Sequence, residues 1–211
     1  MNYEVAQKTT EGTDWDDHYR QGTPPWDTGR VASELVRVIS EQRFKPCTVL
    51  EIGCGTGADA IYLARKRFEV TAVDISPIAI ERARARAEQE DALLRFVQAD
   101  VFRFGPTAGT FDLVYDAGFY HSIRQSTLEP YVDLLWRVTR PGSHYLALCG
   151  ATGETAEGGP PQVSEEDIGN ELGRLFEPVQ VRPFRFESPN HKEGYAGWSC
   201  LMRRPVLGGR T

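Results

Sequence analysis

Seven residues, Glu51-Ile52-Gly53-Cys54-Gly55-Thr56-Gly57, form the part of this chain best suited to holding a ligand. They follow a short apolar run, Thr48-Val-Leu-Glu-Ile52, and precede a helix that the pattern starts near Asp59. Glycines in such a turn let the backbone fold tightly and approach a ligand closely, while the helix N-terminus offers free N–H groups. A glycine-rich turn between strand and helix also occurs with no ligand, so its spacing to other polar groups decides its meaning. Asp74 ends the next strand-like run, 21 positions after Gly53, where a carboxylate can accept from both hydroxyls of a ribose. Asp100 follows the third such run. In an open α/β sheet these three strand ends meet at one crevice, so the loop and both acids are expected to line a single nucleoside pocket. Each acid also has a purely structural alternative, Asp74 as a cap for the helix opened by Ser76 and Asp100 as a turn residue.

The charge of the loop bears on which nucleoside. A dinucleotide-binding loop usually reads G-x-G-x-x-G, and Ala58 stands at the third glycine position, a replacement that leaves NAD open. Glu51 just before the glycines would repel a pyrophosphate and attract a cation. S-adenosylmethionine, with an ammonium and a sulfonium and no phosphate, fits that charge.

These loops need a sheet to position them. Thr48–Ile52, Val70–Val73, Leu94–Val97, Phe111–Tyr115 and Tyr145–Leu148 read as strands, and their continuous apolar character suits a sheet covered on both faces. Between them, Ser76-Pro77 opens a helix to about Gln89 with an apolar stripe of Ile80, Ala83 and Ala87. A second helix spans Thr127 to Thr139 until Arg140-Pro-Gly142 stops it, and Ser164-Glu-Glu-Asp167 caps a third running to about Phe176. Alternation of this kind predicts a single α/β domain with a doubly wound, mostly parallel, seven-stranded Rossmann-like sheet. Val179–Phe186 and Trp198–Met202, separated by a polar hairpin-like stretch, are expected to supply an antiparallel pair at one edge. The single domain covers 1–211, with 1–46 as an N-terminal helical lid segment and 47–211 as the core. Turn-rich stretches at Gly12–Pro25, Gly150–Pro161 and from Gly208 read as loops or ends.

Taken together, Glu51–Gly57, Asp74, Ala99-Asp100, Phe111-Asp-Leu-Val-Tyr-Asp116 and Arg140-Pro-Gly142 resemble a class I S-adenosylmethionine-dependent methyltransferase. Trp15-Asp-Asp-His-Tyr-Arg-Gln-Gly22, Pro25-Trp-Asp-Thr-Gly29 and Gly158-Gly-Pro-Pro161 narrow the resemblance to the thiopurine methyltransferase superfamily, close to its halide and thiol methyltransferases. The resemblance implies that Gly53, Gly55 and Gly57 surround the methionine part of the cofactor, with Glu51 acting on its ammonium. It further implies Asp74 on the ribose, Ile75 beside the adenine, Asp100 and the Val101 N–H on the adenine edge, and backbone contacts from Asp116 and Ala117 near the methyl group. Trp15, Tyr19, Trp26 and Asp27 become the lid, where aromatic faces near a sulfonium are favourable by ~0.5–2 kcal/mol. The product would be S-adenosylhomocysteine.

Methyl transfer from a sulfonium is an in-line displacement, so positioning supplies most of the acceleration. A thiol or hydroxyl acceptor must also lose a proton, which gives His121, Asp116 and Tyr19 a place as catalytic residues. Phe119, Tyr120, His121 and Trp198, with Tyr195, are expected to line an acceptor pocket. A small metabolite is the expected acceptor, sulfur first and oxygen or nitrogen second. A cofactor-binding module without turnover and an NAD-dependent oxidoreductase are the other classes that the residues admit.

Acidic residues outnumber basic ones by 30 to 24, a net charge of −6, which argues against a polymeric nucleic-acid partner. Arg82-Ala-Arg-Ala-Arg86 is accordingly read as a solvated helix face. Four dispersed cysteines with no C-x-x-C pair predict neither metal site nor disulfide, and a reducing cytoplasm. Cys54 reads as a small filler. No run approaches the ~20 residues of a membrane span, and Met1-Asn2-Tyr3-Glu4 does not start a secretory signal.

Overall fold

Val49, Leu50 and Ile52 show how the sheet is covered on both sides, since successive strand residues point to opposite faces. Leu50 and Ile52 join a core with Val114, Tyr131, Leu134 and Ala147. Val49 joins another with Leu63, Ile80, Leu113 and Leu146. The computed structural model describes residues 15–104, 110–153, 159–189 and 191–206. Residues 1–14 of the expected lid, Gly158 and the tail from Gly208 lie outside them.

In chain order the elements are α1 (Trp15–Arg20), α2 (Ser33–Glu41), β1 (Thr48–Ile52), α3 (Ala58–Arg65), β2 (Glu69–Asp74), α4 (Pro77–Gln89) and β3 (Arg95–Gln98). Then follow β4 (Phe111–Ala117), α5 (Phe119–Val138), β5 (Thr139–Ala151), β6 (Gln162–Val163), α6 (Glu165–Glu171), β7 (Glu177–Phe186) and β8 (Tyr195–Arg203). The strand order is β3-β2-β1-β4-β5-β8-β7, with two-residue β6 beside β5. Strands β1 to β5 pair in parallel, and β8 pairs antiparallel with both β5 and β7. The reversed strand therefore sits one place in from the edge, and the edge strand β7 carries Pro178 and Pro183. Because β1 is flanked by β2 and β4, successive crossovers leave in opposite directions there, and a crevice opens at the strands' carboxyl ends.

Helix α4 begins as its sequence indicates, with Pro77 at its first position and the Ser76 hydroxyl accepting from the Ala79 N–H at 3.1 Å. Helix α6 has the complete capping box between Ser164 and Asp167 but gives way to a 3-10 turn at Leu172–Arg174. Helix α5 starts eight residues before the expected Thr127, and Thr127 itself is a kink at φ −137° with Pro130 just beyond. Its start is fixed from outside: Asp116 Oδ1 accepts from the N–H groups of Phe119 and Tyr120, each at 3.1 Å.

The N-terminal elements run across the strand ends. On the β2 side, Arg82 donates to the Tyr19 and Gly22 carbonyls at 2.7 and 3.0 Å, and the Ser76 hydroxyl bonds Asp16 of α1. On the β7 side, buried Glu34 of α2 takes Arg182 at 2.7 Å and Arg37 at 2.7 Å. The arginine run of α4 is thus more than a solvated face: Arg82 holds α1, and Arg84 donates to the Phe96 carbonyl at 3.2 Å. Among the described residues no helix is long and apolar enough to cross a membrane.

Candidate active site

The loop after β1 folds back on β2, its Gly53 and Cys54 N–H groups both donating to the Val73 carbonyl, at 2.8 and 3.1 Å. Gly53 and Gly55 take φ values of +67° and +53°, where a side chain would be strained. Space is tight as well. A Cβ on Gly53 would stand 3.0 Å from the Phe119 ring, and one on Gly55 3.0 Å from the Tyr19 hydroxyl. The loop is therefore a bare cradle closed from two sides.

Three carboxylates stand at its floor and flanks. Asp74 accepts from the Gly55 N–H at 2.8 Å and the Ser76 N–H at 2.9 Å, which fixes both oxygens, while burial raises its pKa. Asp100 accepts from the Phe102 N–H at 3.0 Å and caps a short 3-10 turn. Glu51 differs: its Oε2 is buried with no hydrogen-bond partner. Burial, then Asp59 and Asp74, push its carboxyl well above the usual range. A buried carboxylate oxygen without a donor is costly, and an ammonium group would supply that donor. The donor set thus fits the cationic, hydroxyl-rich cofactor expected from the loop.

These groups line a cleft of about 610 Å³. Into it the structure brings Trp15, Tyr19, Trp26, Glu51, Gly53, Gly55, Gly57, Asp74, Ile75, Asp100, Val101, Ala117, Phe119 and His121. Trp15 and Trp26 meet edge to face at 5.7 Å, with His18 at 5.0 Å from Trp26. Asp27 of the same segment accepts from the Thr56 hydroxyl of the glycine loop at 3.0 Å. The Tyr19 hydroxyl titrates far above its ordinary value, chiefly through burial and then through Asp74. It stays protonated at neutral pH and can donate.

Three expected residues lie elsewhere. Asp116 is fully buried beneath the cleft, where its Oδ2 accepts from the hydroxyls of Tyr131 and Tyr145 at 2.8 and 2.6 Å. With Oδ1 capping α5, the carboxylate is used up structurally, so it holds no proton-transfer position in the cleft. Tyr120 is fully buried with its hydroxyl on Glu171 at 2.6 Å. Trp198 faces away, donating its indole N–H to the Val163 carbonyl at 3.1 Å. Residue type and nearness in sequence do not fix direction, and the twist of a helix or the alternation of a strand turns neighbours to opposite sides.

Conversely, Phe184 and Phe186 line the cleft, their rings 4.6 Å apart, together with Tyr195 and Ile123. The two-residue period of Phe184-Arg-Phe186 was the available signal. His121 also faces this wall, 6.2 Å from the Phe186 ring. Its Nδ1 accepts from the Gly150 N–H at 2.9 Å, and burial lowers its pKa to about 4.

Comparison with known proteins agrees with the fold. Residues 49–142 match the family model of a methyltransferase domain. The chain is similar to a 2-heptyl-1-hydroxyquinolin-4(1H)-one methyltransferase of Mycobacteroides abscessus, 28% identical over 77% of this chain and 72% of that protein. It is also similar to thiocyanate methyltransferase 1 of Arabidopsis thaliana, 25% identical over 92% of this chain and 87% of the relative. Among solved structures, one described by the conversion of a disulfide bond into a thioacetal group during echinomycin biosynthesis superposes with a TM-score of 0.78. It is 25% identical and the match covers 92% of both chains.

Proposed function

Because the chain is a class I S-adenosylmethionine-dependent methyltransferase, we propose that it methylates a heteroatom, sulfur in first place, of a small and largely apolar metabolite. The observation that carries this reading is the set of aromatic residues Phe184, Phe186 and Tyr195 that line the same cleft as the glycine loop and Phe119. A cleft of about 610 Å³ shared with a nucleoside cofactor leaves room for a small acceptor.

When bound, the cofactor supplies an electrophilic methyl group on a sulfonium. In the proposal Glu51 holds its ammonium, Asp74 its ribose hydroxyls and Asp100 its adenine amino group. The Ile75 side chain and the Val101 and Ala117 backbones flank it. Trp15, Tyr19 and Trp26, carried by the lid segment within residues 1–46, cover the cleft and exclude water. The aromatic wall turns the acceptor's lone pair toward the cofactor half, where alignment does most of the work. A thiol, with an ordinary pKa near 8.5, arrives partly ionised at neutral pH and makes little demand on a base.

The similarity to a thiocyanate methyltransferase over nearly the whole chain supports sulfur. The relative named for a hydroxyquinolone supports an oxygen acceptor on a heteroaromatic ring as the second reading. Labelled cofactor incubated with thiols, phenols, halides and amines separates them. Label on thiols is the expected result, and label on phenols alone would overturn the sulfur preference.

A further inference from the structure

Within that methyltransferase reading, we infer that His121 serves the acceptor as a fixed hydrogen-bond donor through Nε2–H, and not as the base that removes its proton. The argument starts from the backbone. Gly150 ends the central part of β5, and its N–H points at His121 Nδ1 at 2.9 Å. An N–H can be accepted only by a nitrogen with a free lone pair, so Nδ1 carries no proton and the neutral ring holds its single proton on Nε2. Shifting that proton to Nδ1 would set two donors against each other and leave the Gly150 N–H buried without a partner. A base working through Nε2 needs that unfavourable tautomer.

Protonating the ring is equally disfavoured. It would break the same bond and place a charge in a buried, aromatic-lined position. Burial lowers the basicity of His121, and the titratable groups on the neighbouring elements are Asp116 on β4, Arg124 on α5, Cys149 on β5, Arg185 and Glu187 at the end of β7, and Tyr195 on β8. Across neutral pH the ring is therefore uncharged with one fixed donor.

That donor faces usable space. His121 lines the cleft, and among the described residues Nε2 has no protein partner. Gly118, at φ +94°, keeps the edge clear, since a Cβ there would stand 3.4 Å from Nε2 and 3.5 Å from Cε1. Phe186 packs edge-on at 6.2 Å, with Phe184 against it. A lone N–H among aromatic rings rejects acceptors that offer it nothing and favours those with an anionic or lone-pair heteroatom there. The acceptor class is accordingly one that ionises by itself, a thiolate or an acidic hydroxyl, held by its heteroatom.

Two substitutions divide the roles. Asn in His121→Asn places its carbonyl where Nδ1 was and keeps the Gly150 tie but removes the outer donor; His121→Gln keeps a donor at the Nε2 position. We expect His121→Asn to lower kcat/KM by about 10- to 100-fold, the range for a hydrogen bond to a charged partner. The loss should be the same for thiophenol and for benzyl mercaptan, and the same from pH 6 to pH 10. His121→Gln should recover most of it, and calorimetric affinity for S-adenosylhomocysteine should stay within about twofold in both. A loss that disappears at alkaline pH, where thiols ionise unaided, would identify a base and overturn the proposal. Lost S-adenosylhomocysteine affinity in both variants would identify a structural role and do the same. If neither thiol is methylated the sulfur preference fails by itself, and 4-nitrophenol carried through the same pH series reads His121 independently.

Discussion

The two halves of the cleft are made in different ways. The cofactor half consists of consecutive strand ends, where chain geometry ties Glu51, the glycines, Asp74 and Asp100 to fixed sequence intervals. The acceptor half is assembled from the start of α5, the end of β7, the start of β8 and the prolines at 160 and 161, segments far apart in sequence that meet through the pairing of β5 with β6 and β8 and of β8 with β7. Its chemistry also differs: one half holds carboxylates that burial makes costly, the other holds aromatic rings and one neutral imidazole. Spacing encodes the first kind of site, and packing the second.

The contrast can be broken most sharply at Asp74. Asp74→Ala removes the ribose partner and strands the Gly55 and Ser76 N–H groups, so S-adenosylhomocysteine should bind about 100-fold more weakly by calorimetry, with the circular dichroism spectrum unchanged. Undiminished affinity would remove Asp74 from the cofactor half. The acceptor half should reveal itself in acid. The His121 pKa is about 4 in the fold, below its ordinary value near 6.5, so its contribution is complete above pH 6.5 and is lost as pH falls toward 4. Denaturant titrations should show roughly 3 kcal/mol lost across that window. The loss should be absent in His121→Asn, whereas the raised pKa values of Glu51 and Asp74 work in the opposite direction and remain in both proteins.

At Glu51 the two currencies part. Replacing the buried, partnerless carboxyl by the amide in Glu51→Gln should weaken S-adenosylhomocysteine binding by roughly 10-fold or more. It should also raise the melting temperature of the ligand-free protein, by about 2–4 °C for each kcal/mol relieved. A variant that loses both affinity and stability would mean that Glu51 is a structural anchor. The mildest effect is expected at Phe186: Phe186→Ala should raise the acceptor KM about tenfold while leaving S-adenosylhomocysteine affinity within twofold. Equal damage to both constants would merge the two halves into one.

Much of the sheet was legible because β-branched runs in a doubly covered sheet carry their own signal, and Ser76-Pro77 marks a helix start by local chemistry. The start of α5 was not, since the carboxylate that accepts its first N–H groups belongs to Asp116, a residue of the preceding strand. Tyr120 was misplaced because the turn of α5 carries its ring into the core, where Glu171 takes its hydroxyl, and the Asp116 side chain was given a proton-transfer role although Tyr131 and Tyr145 satisfy it internally. Arg82 was read from composition, which registers charge but not the carbonyls at Tyr19 and Gly22 that it holds.

Edge strands of ten residues, as long as β7, ordinarily recruit a second strand and so promote aggregation. Pro178 and Pro183 withdraw two N–H donors from that edge, Arg182 is turned onto Glu34, and Arg185 is spent on the Gly194 carbonyl at 2.9 Å. The opposite edge, β3, is only four residues long. Among the described residues, neither sheet edge offers a second copy of the chain a long margin with every N–H free to pair.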